Sequence, residues 1–121
     1  MARLEDVNVW KKSIILAKDF YLLLSNNTKL QNDFWLQDQL KRSCISISSN
    51  IAEWFWRKSN IEFLRFLDIA LWSLFEFKSQ FYILYEIWYI NQETLKYFLE
   101  KIENIEYMLK ALIKHINSKK K

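Results

Sequence analysis

Apolar residues recur along this chain at helical spacing. Val7, Trp10, Ile14, Ala17, Tyr21 and Leu24 stand three and four apart, an amphipathic stripe that predicts a helix from about Asp6 to Ser25. Lys11, Lys12, Lys18 and Asp19 lie off that stripe. The polar run Ser25 to Lys29 ends it. Leu36, Leu40, Ile47, Ile51 and Trp54 predict a second helix, from about Asp33 to Trp54. Inside it, residues 44–48 alternate with period two and read as a short strand. Nothing nearby could pair with such a strand, and its backbone groups would go unbonded, so the helix is preferred.

A third helix is expected from Ser59 to about Ile87. Leu64, Leu67, Leu71, Leu74, Phe81 and Tyr85 line one face, with Phe63, Ala70, Phe77 and Leu84 beside them. Ser59 and Glu62 have the spacing of a capping box. The fourth runs from about Asn91, a suitable N-cap, to Asn117. Its seam Leu95, Phe98, Ile102, Ile105, Leu109, Leu112, Ile116 keeps a strict 3-4 alternation, as in a coiled coil. Short connections make successive helices antiparallel neighbours, which predicts an all-α, up-down-up-down four-helix bundle spanning residues 1–121 as one domain. The third helix carries Phe63, Phe66, Phe75, Phe77, Phe81 and Tyr82, more aromatic surface than one core can hide. A subunit interface, and hence a homo-oligomer, is expected there.

Composition sharpens this picture. The chain has 121 residues, 51% hydrophobic and 26% charged, with six Trp and no Gly or Pro. Without either helix breaker, long uninterrupted helices are expected. At an ordinary usage of about 7%, roughly eight Gly would be present, so what closes the turns is an open question. Glu53, Asp68, Glu76 and Glu86 interrupt the apolar stretches too soon for a membrane span. Residues 1–10 hold Arg3, Glu5 and Asp6 and no apolar run, which argues against a signal peptide. A single cysteine, Cys44, makes no internal disulfide and fits a reducing, cytoplasmic setting. The net charge is +4, and residues 101–121, with six Lys and two Glu, hold that whole excess.

No catalytic constellation is visible. The one histidine, His115, has no Glu-x-x-His, HExxH or CxxC partner, so a metal site lacks ligands. Absent glycine, there is neither a P-loop nor a dinucleotide fingerprint. Ser43, Ser46, Ser48 and Ser49 have no neighbouring His, and Glu53 and Glu62 read as helix-end charges. The chain is therefore read as a non-enzyme without cofactors. Lys41, Arg42, Arg57, Lys58 and Arg65 gather in the sequence around the turn between the second and third helices. They are candidate phosphate contacts, or else solvated charges balanced by Asp38, Glu53, Glu62 and Asp68.

Residues 38–66, DQLKRSCISISSNIAEWFWRKSNIEFLRF, resemble the signature of the bacterial four-helix bundle family named for the protein encoded in the intervening sequence of 23S rRNA. Asp38, Gln39 and Arg42 match its first part. Ser46, Ser49, Asn50, Ile51, Ala52, Glu53 and Arg57 match the second, and Glu62, Phe63, Phe66 and Leu67 the third. LEDVNVW, residues 4–10, is similar to the family's usual start. The resemblance implies a small cytoplasmic bundle assembling as a ring-like homo-oligomer, a pentamer in some relatives. One class of relatives serves diversity-generating retroelements, binding nucleic acid and a reverse transcriptase. The implied role is an oligomeric RNA- or DNA-binding protein. The alternative is a protein-binding scaffold that uses the aromatic face of the third helix.

One departure is systematic. The family has glycine where this chain has Trp54 and Trp56, and usually glycine at the places of Trp35, Trp72 and Trp88, whereas Trp10 is a family tryptophan. Selection for packing would not exchange the smallest residue for the largest at glycine sites alone. A single cause covers all five: some bacterial lineages read UGA as glycine, and common alternative code tables read it as tryptophan. The five are therefore expected to be glycines in the natural protein. Trp54 to Lys58 are expected to turn the chain, Trp88 to sit in a left-handed helix end, and Trp72 to push a neighbouring helix away. Ser48, in place of the family's mid-helix proline, is an ordinary substitution.

Overall fold

The computed structural model describes residues 2–57 and 61–119. Four long helices dominate it: α1 (Asn8–Ser25), α3 (Phe34–Trp56), α4 (Leu64–Glu86) and α5 (Gln92–Ser118), with one short turn of helix, α2 (Thr28–Gln31), between the first two. Turns of 3-10 helix precede α1 at Leu4–Asp6 and α4 at Ile61–Phe63. No strand occurs among the described residues, and residues 44–48 lie inside α3.

Cross-contacts fix the directions. Ser43 Oγ donates to Gln80 Oε1 at 2.7 Å and Ser46 meets Ser73 at 2.8 Å, so α3 and α4 run oppositely. Phe81 stacks on Phe98 while Lys78 reaches Glu103 and Glu106, so α4 and α5 do as well. Asn27 meets Tyr89 and Asp19 meets Lys101, which opposes α1 to α5. The result is an antiparallel four-helix bundle in which α1 and α4 occupy opposite corners, each packed on α3 and α5. Its core is Leu16, Phe20, Leu40, Ile47, Ile51, Leu67, Leu74, Phe77, Phe81, Leu84, Ile102 and Leu109, all fully buried. Burying such side chains, at about 1.5–3 kcal/mol each, drives the association of the helices.

Three sequence expectations need correction. The buried face of α1 is Val9, Ser13, Leu16, Phe20 and Leu24, not the stripe containing Ile14 and Tyr21, which are each 40% exposed. Both stripes have helical period, because α1 is apolar on two faces, and period alone does not choose the phase. Helix α4 begins at Leu64, not Ser59, and its N-cap Phe63 makes no side-chain cap; the proposed cap Ser59 lies outside the described residues. Instead the Arg57 guanidinium stands 5.4 Å from the centroids of both Phe63 and Phe66, so aromatic packing shapes this entry. Finally, the polar run after α1 does more than end a helix. Asn27 caps α2 and delivers Leu30, fully buried, into the core.

The tryptophans divide sharply. Trp35, Trp56, Trp72 and Trp88 are 73%, 64%, 63% and 82% exposed, whereas Trp54 is 6% exposed. Trp54 and Trp56 end α3 in helical conformation and do not turn the chain. Trp72 faces outward from α4 and displaces no helix within this chain. Trp88 does sit in a left-handed conformation, φ 69°, alone among the described non-glycine residues. The Tyr89 N–H bonds the Leu84 carbonyl and the Trp88 N–H that of Tyr85, which is the Schellman motif at the end of α4 with tryptophan where glycine is favoured. Trp54 Nε1 is the one buried side-chain polar atom among the described residues without a hydrogen-bond partner.

Candidate nucleic-acid interface

The five candidate phosphate ligands do not form one cluster. Arg42 lies within α3 and Arg57 is its C-cap, fifteen residues on, about 22 Å at 1.5 Å per residue. Half-buried Lys41 turns toward α1, its Nζ 6.0 Å from the Tyr21 ring centroid. Arg42 is held on its own helix by Asp38, Nε to Oδ2 2.8 Å. That hydrogen bond, and the carboxylate's charge, raise its already high pKa further. Arg57 pairs with Glu53 at 3.5 Å while leaning on the two phenylalanines. Arg65 is exposed, in the first turn of α4, with no ion pair among the described residues. Lys58 lies outside the described residues. Arg57 and Arg65 are thus near one end of the bundle, and Lys41 and Arg42 are not.

Most of the signature residues serve the fold. Asp38 with Arg42 and Glu53 with Arg57 are i,i+4 pairs along α3. Ser46 bonds Ser73, and the Asn50 amide donates to the Ser46 carbonyl and hydroxyl at 2.8 and 3.0 Å. With Ser43 and Gln80 they make a hydrogen-bonded polar seam between α3 and α4. Such a seam fixes register, because a slip would leave these buried and half-buried groups unpaired. Ser49 is exposed and Gln39 half-buried.

Sequence reasoning missed the contribution of the chain ends. The antiparallel topology brings the start of α1, the end of α3, the start of α4 and the end of α5 to one end of the bundle. The half of the molecule toward that end holds Arg3, Lys11, Lys12, Arg57, Arg65, Lys110, Lys114 and Lys119 against Glu5, Asp6, Glu53, Glu62, Asp68 and Glu106. In the other half, Lys18, Lys29, Lys41, Arg42, Lys78, Lys96 and Lys101 are outnumbered by Asp19, Asp33, Asp38, Glu76, Glu86, Glu93, Glu100 and Glu103. The positive excess is therefore axial. The signal was present in the Lys-rich residues 101–121, and only the topology joins them to Arg57 and Arg65.

No nucleophile or metal centre competes with this reading among the described residues. Cys44 is buried in the core, and burial pushes its thiol up to about 12, so it stays protonated. Among the described residues no group of three or more His, Cys, Asp or Glu could hold a metal ion, and no helix is long and apolar enough to cross a membrane.

The profile of the 23S rRNA-intervening sequence proteins matches residues 5–111. The chain belongs to that family. A crystal structure from Bacteroides thetaiotaomicron VPI-5482, a protein of unknown function from the S23 ribosomal protein family, is similar in fold and sequence. It is 29% identical, with a TM-score of 0.76 over 88% of this chain and 98% of its own. Among curated proteins none matches. The 23S rRNA-intervening sequence proteins thus supply this chain with a helical fold and a lineage.

Proposed function

We propose that this member of the family is a non-enzymatic, oligomeric protein that binds RNA or DNA through the basic end of its bundle. The axial segregation of charge carries this reading. Cations from all four long helices converge there, several of them without an ion partner among the described residues, and exposed Lys and Arg side chains contact phosphates without reading bases. Assembly of several copies side by side would repeat the basic end as a broad cationic surface.

The test compares two sets of substitutions. Arg57→Ala, Arg65→Ala and Lys114→Ala together should weaken binding to any RNA or DNA sequence by a similar factor, at least tenfold. They should also flatten the dependence of affinity on salt. Lys41→Ala with Arg42→Ala, on the middle of α3, should do much less. Equal losses from both sets would place the contact elsewhere. The scaffold alternative draws on exposed Trp72, Phe75 and Tyr82 of α4. Docking of a partner on that face would persist at high salt, where phosphate contacts fail.

A further inference from the structure

One cation at the basic end is held differently from the rest. The Arg57 guanidinium lies over two rings, 5.4 Å from the centroids of both Phe63 and Phe66. Those rings stand 6.4 Å apart and are inclined by only 30° to each other, so together they make one broad apolar floor. Among the described residues Lys41, Lys101 and Lys110 also lie over rings, each over a single one. An ammonium is a point charge with no plane to offer, whereas a guanidinium is flat and has two faces. Glu53 holds the edge of the Arg57 group, Nη2 to Oε1 3.5 Å, and the side chain stays 49% exposed. The floor and the carboxylate thus fix the plane while leaving much of it open to solvent.

The neighbouring charges divide the work. Glu53 shares the charge of Arg57, which makes Arg57 the poorer phosphate ligand of the two arginines here. Arg65 precedes Phe66 in the first turn of α4, is exposed and has no ion pair among the described residues, so its charge is undivided. A flat cation on an aromatic floor, beside a cation of undivided charge, suits one nucleotide. The base stacks on the guanidinium face and the phosphate goes to Arg65. Within a duplex each base face is covered by the next pair, so only an unpaired base can make this contact.

We infer that Arg57 is a stacking platform for an unpaired base, which gives a single strand of RNA or DNA a contact that a duplex cannot make. The inference deepens the proposed function and rests on its nucleic-acid part. Every base has a π-face, so the platform selects strandedness and not sequence. It touches no sugar hydroxyl, so it serves RNA and DNA single strands alike. The rival platform is Trp56, 64% exposed at the end of α3, its ring 5.3 Å from that of Phe55. Because Trp56 is one of the five expected glycines, a platform belonging to the natural protein has to work without it.

Fluorescence anisotropy on the full chain tests it with an oligothymidylate, an abasic strand of the same length and charge, and a blunt duplex, with circular dichroism confirming that each variant is folded. The parent should bind the oligothymidylate about tenfold more tightly than the abasic strand. Arg57→Lys keeps the charge and loses the plane. It should cut that preference to under about twofold, while affinity for the abasic strand and the duplex, and the dependence on salt, stay as in the parent. Trp56→Gly should leave the preference intact. An Arg57→Lys variant that keeps the preference, or that weakens all of these probes equally, overturns the inference, and loss of the preference in Trp56→Gly overturns it in favour of the indole. A parent that binds the oligothymidylate and the abasic strand alike overturns the platform and leaves the basic end standing as a phosphate-binding surface. A parent that binds no probe removes that reading and the platform with it.

Discussion

The two ends of the bundle are built by different chemistry. At the end opposite the basic one, two connections are laced together. Asn27 accepts the Leu30 N–H at 2.9 Å and donates its own amide to the Tyr89 carbonyl at 2.8 Å. Asp33 accepts the Leu36 N–H with one oxygen and the Tyr89 hydroxyl, at 2.9 Å, with the other. Gln31 and Gln37 donate to the carbonyls of Leu24, Leu30 and Gln31, and Asn91 caps α5. At the basic end the N-caps of α1 and α4, Val7 and Phe63, use no side chain. There the charged partners lie on one helix, as Arg57 and Glu53 do on α3. Polar groups at the laced end are consumed by the fold. At the basic end several of them, Arg65 and Lys114 among them, have no ion pair among the described residues.

The largest difference should appear on deleting one side chain from each end. Asn27→Ala removes a helix cap, about 0.5–2 kcal/mol, and a hydrogen bond between connections, about 1 kcal/mol. A loss of roughly 2–3 kcal/mol in urea unfolding is expected. Arg57→Ala removes a solvent-exposed ion pair and partly exposed ring contacts, so its loss should stay under about 1 kcal/mol. Equal losses would break the comparison.

Trp88 sharpens it, because the laced end holds the one residue in the left-handed region among those described. A non-glycine residue in the left-handed region costs roughly 1–2 kcal/mol, and the indole is 82% exposed, so little packing offsets that cost. Trp88→Gly should raise stability by about 1 kcal/mol. Trp72→Gly should lower it by about 0.5 kcal/mol, since glycine is poorer than tryptophan inside an exposed helix. Thermal melts showing the same sign for both would refute the conformational argument. The gene addresses origin separately: UGA at codons 35, 54, 56, 72 and 88 with UGG at codon 10 marks misread glycines, and UGG at all six marks genuine tryptophans.

The fold was largely legible in the sequence because α3 and α5 each have one dominant apolar stripe. Of the seven seam residues, Leu95, Phe98, Ile102, Ile105, Leu109 and Ile116 are buried and Leu112 is half-buried. Helix α1 was misphased because Ile14 and Tyr21 continue a second stripe as regular as the buried one. If that stripe meets another molecule, the sequence carries two true signals and one chain displays only one of them. Phe77 and Phe81 entered the core while Phe75 and Tyr82 stayed exposed, a split that needs the neighbouring helices to resolve. The basic end was illegible for a different reason. Lys114 is distant in sequence from Arg57 and Arg65, and only antiparallel packing brings their helix ends together.

A smaller effect separates the laced end from the α4–α5 side by pH. The Tyr89 hydroxyl donates to Asp33, and that bond, with some desolvation and the carboxylate's charge, raises its pKa above the ordinary value near 10. Raised in the folded state, it contributes stability below pH 10 that is lost as pH rises through the folded value. Glu106 behaves oppositely. Its hydrogen bond from Lys110, with the charges of Lys78 and Lys110, outweighs burial and lowers its pKa below the ordinary 4.5. Its contribution is present above pH 4.5 and lost as pH falls through the folded value. Lys78 loses ground to burial but is held above its ordinary 10.5 by Glu103 and Glu106, so it adds to the alkaline loss. Melting temperature against pH should therefore decline on both sides for the parent. Tyr89→Phe should flatten the alkaline side in part, leaving the share of Lys78 and of Tyr21, whose pKa burial raises. Glu106→Gln should flatten the acid side and also weaken the hold on Lys78. If Tyr89→Phe leaves the alkaline decline unchanged, the bond between Tyr89 and Asp33 does not couple the two connections in solution, and the laced end is held by its caps alone.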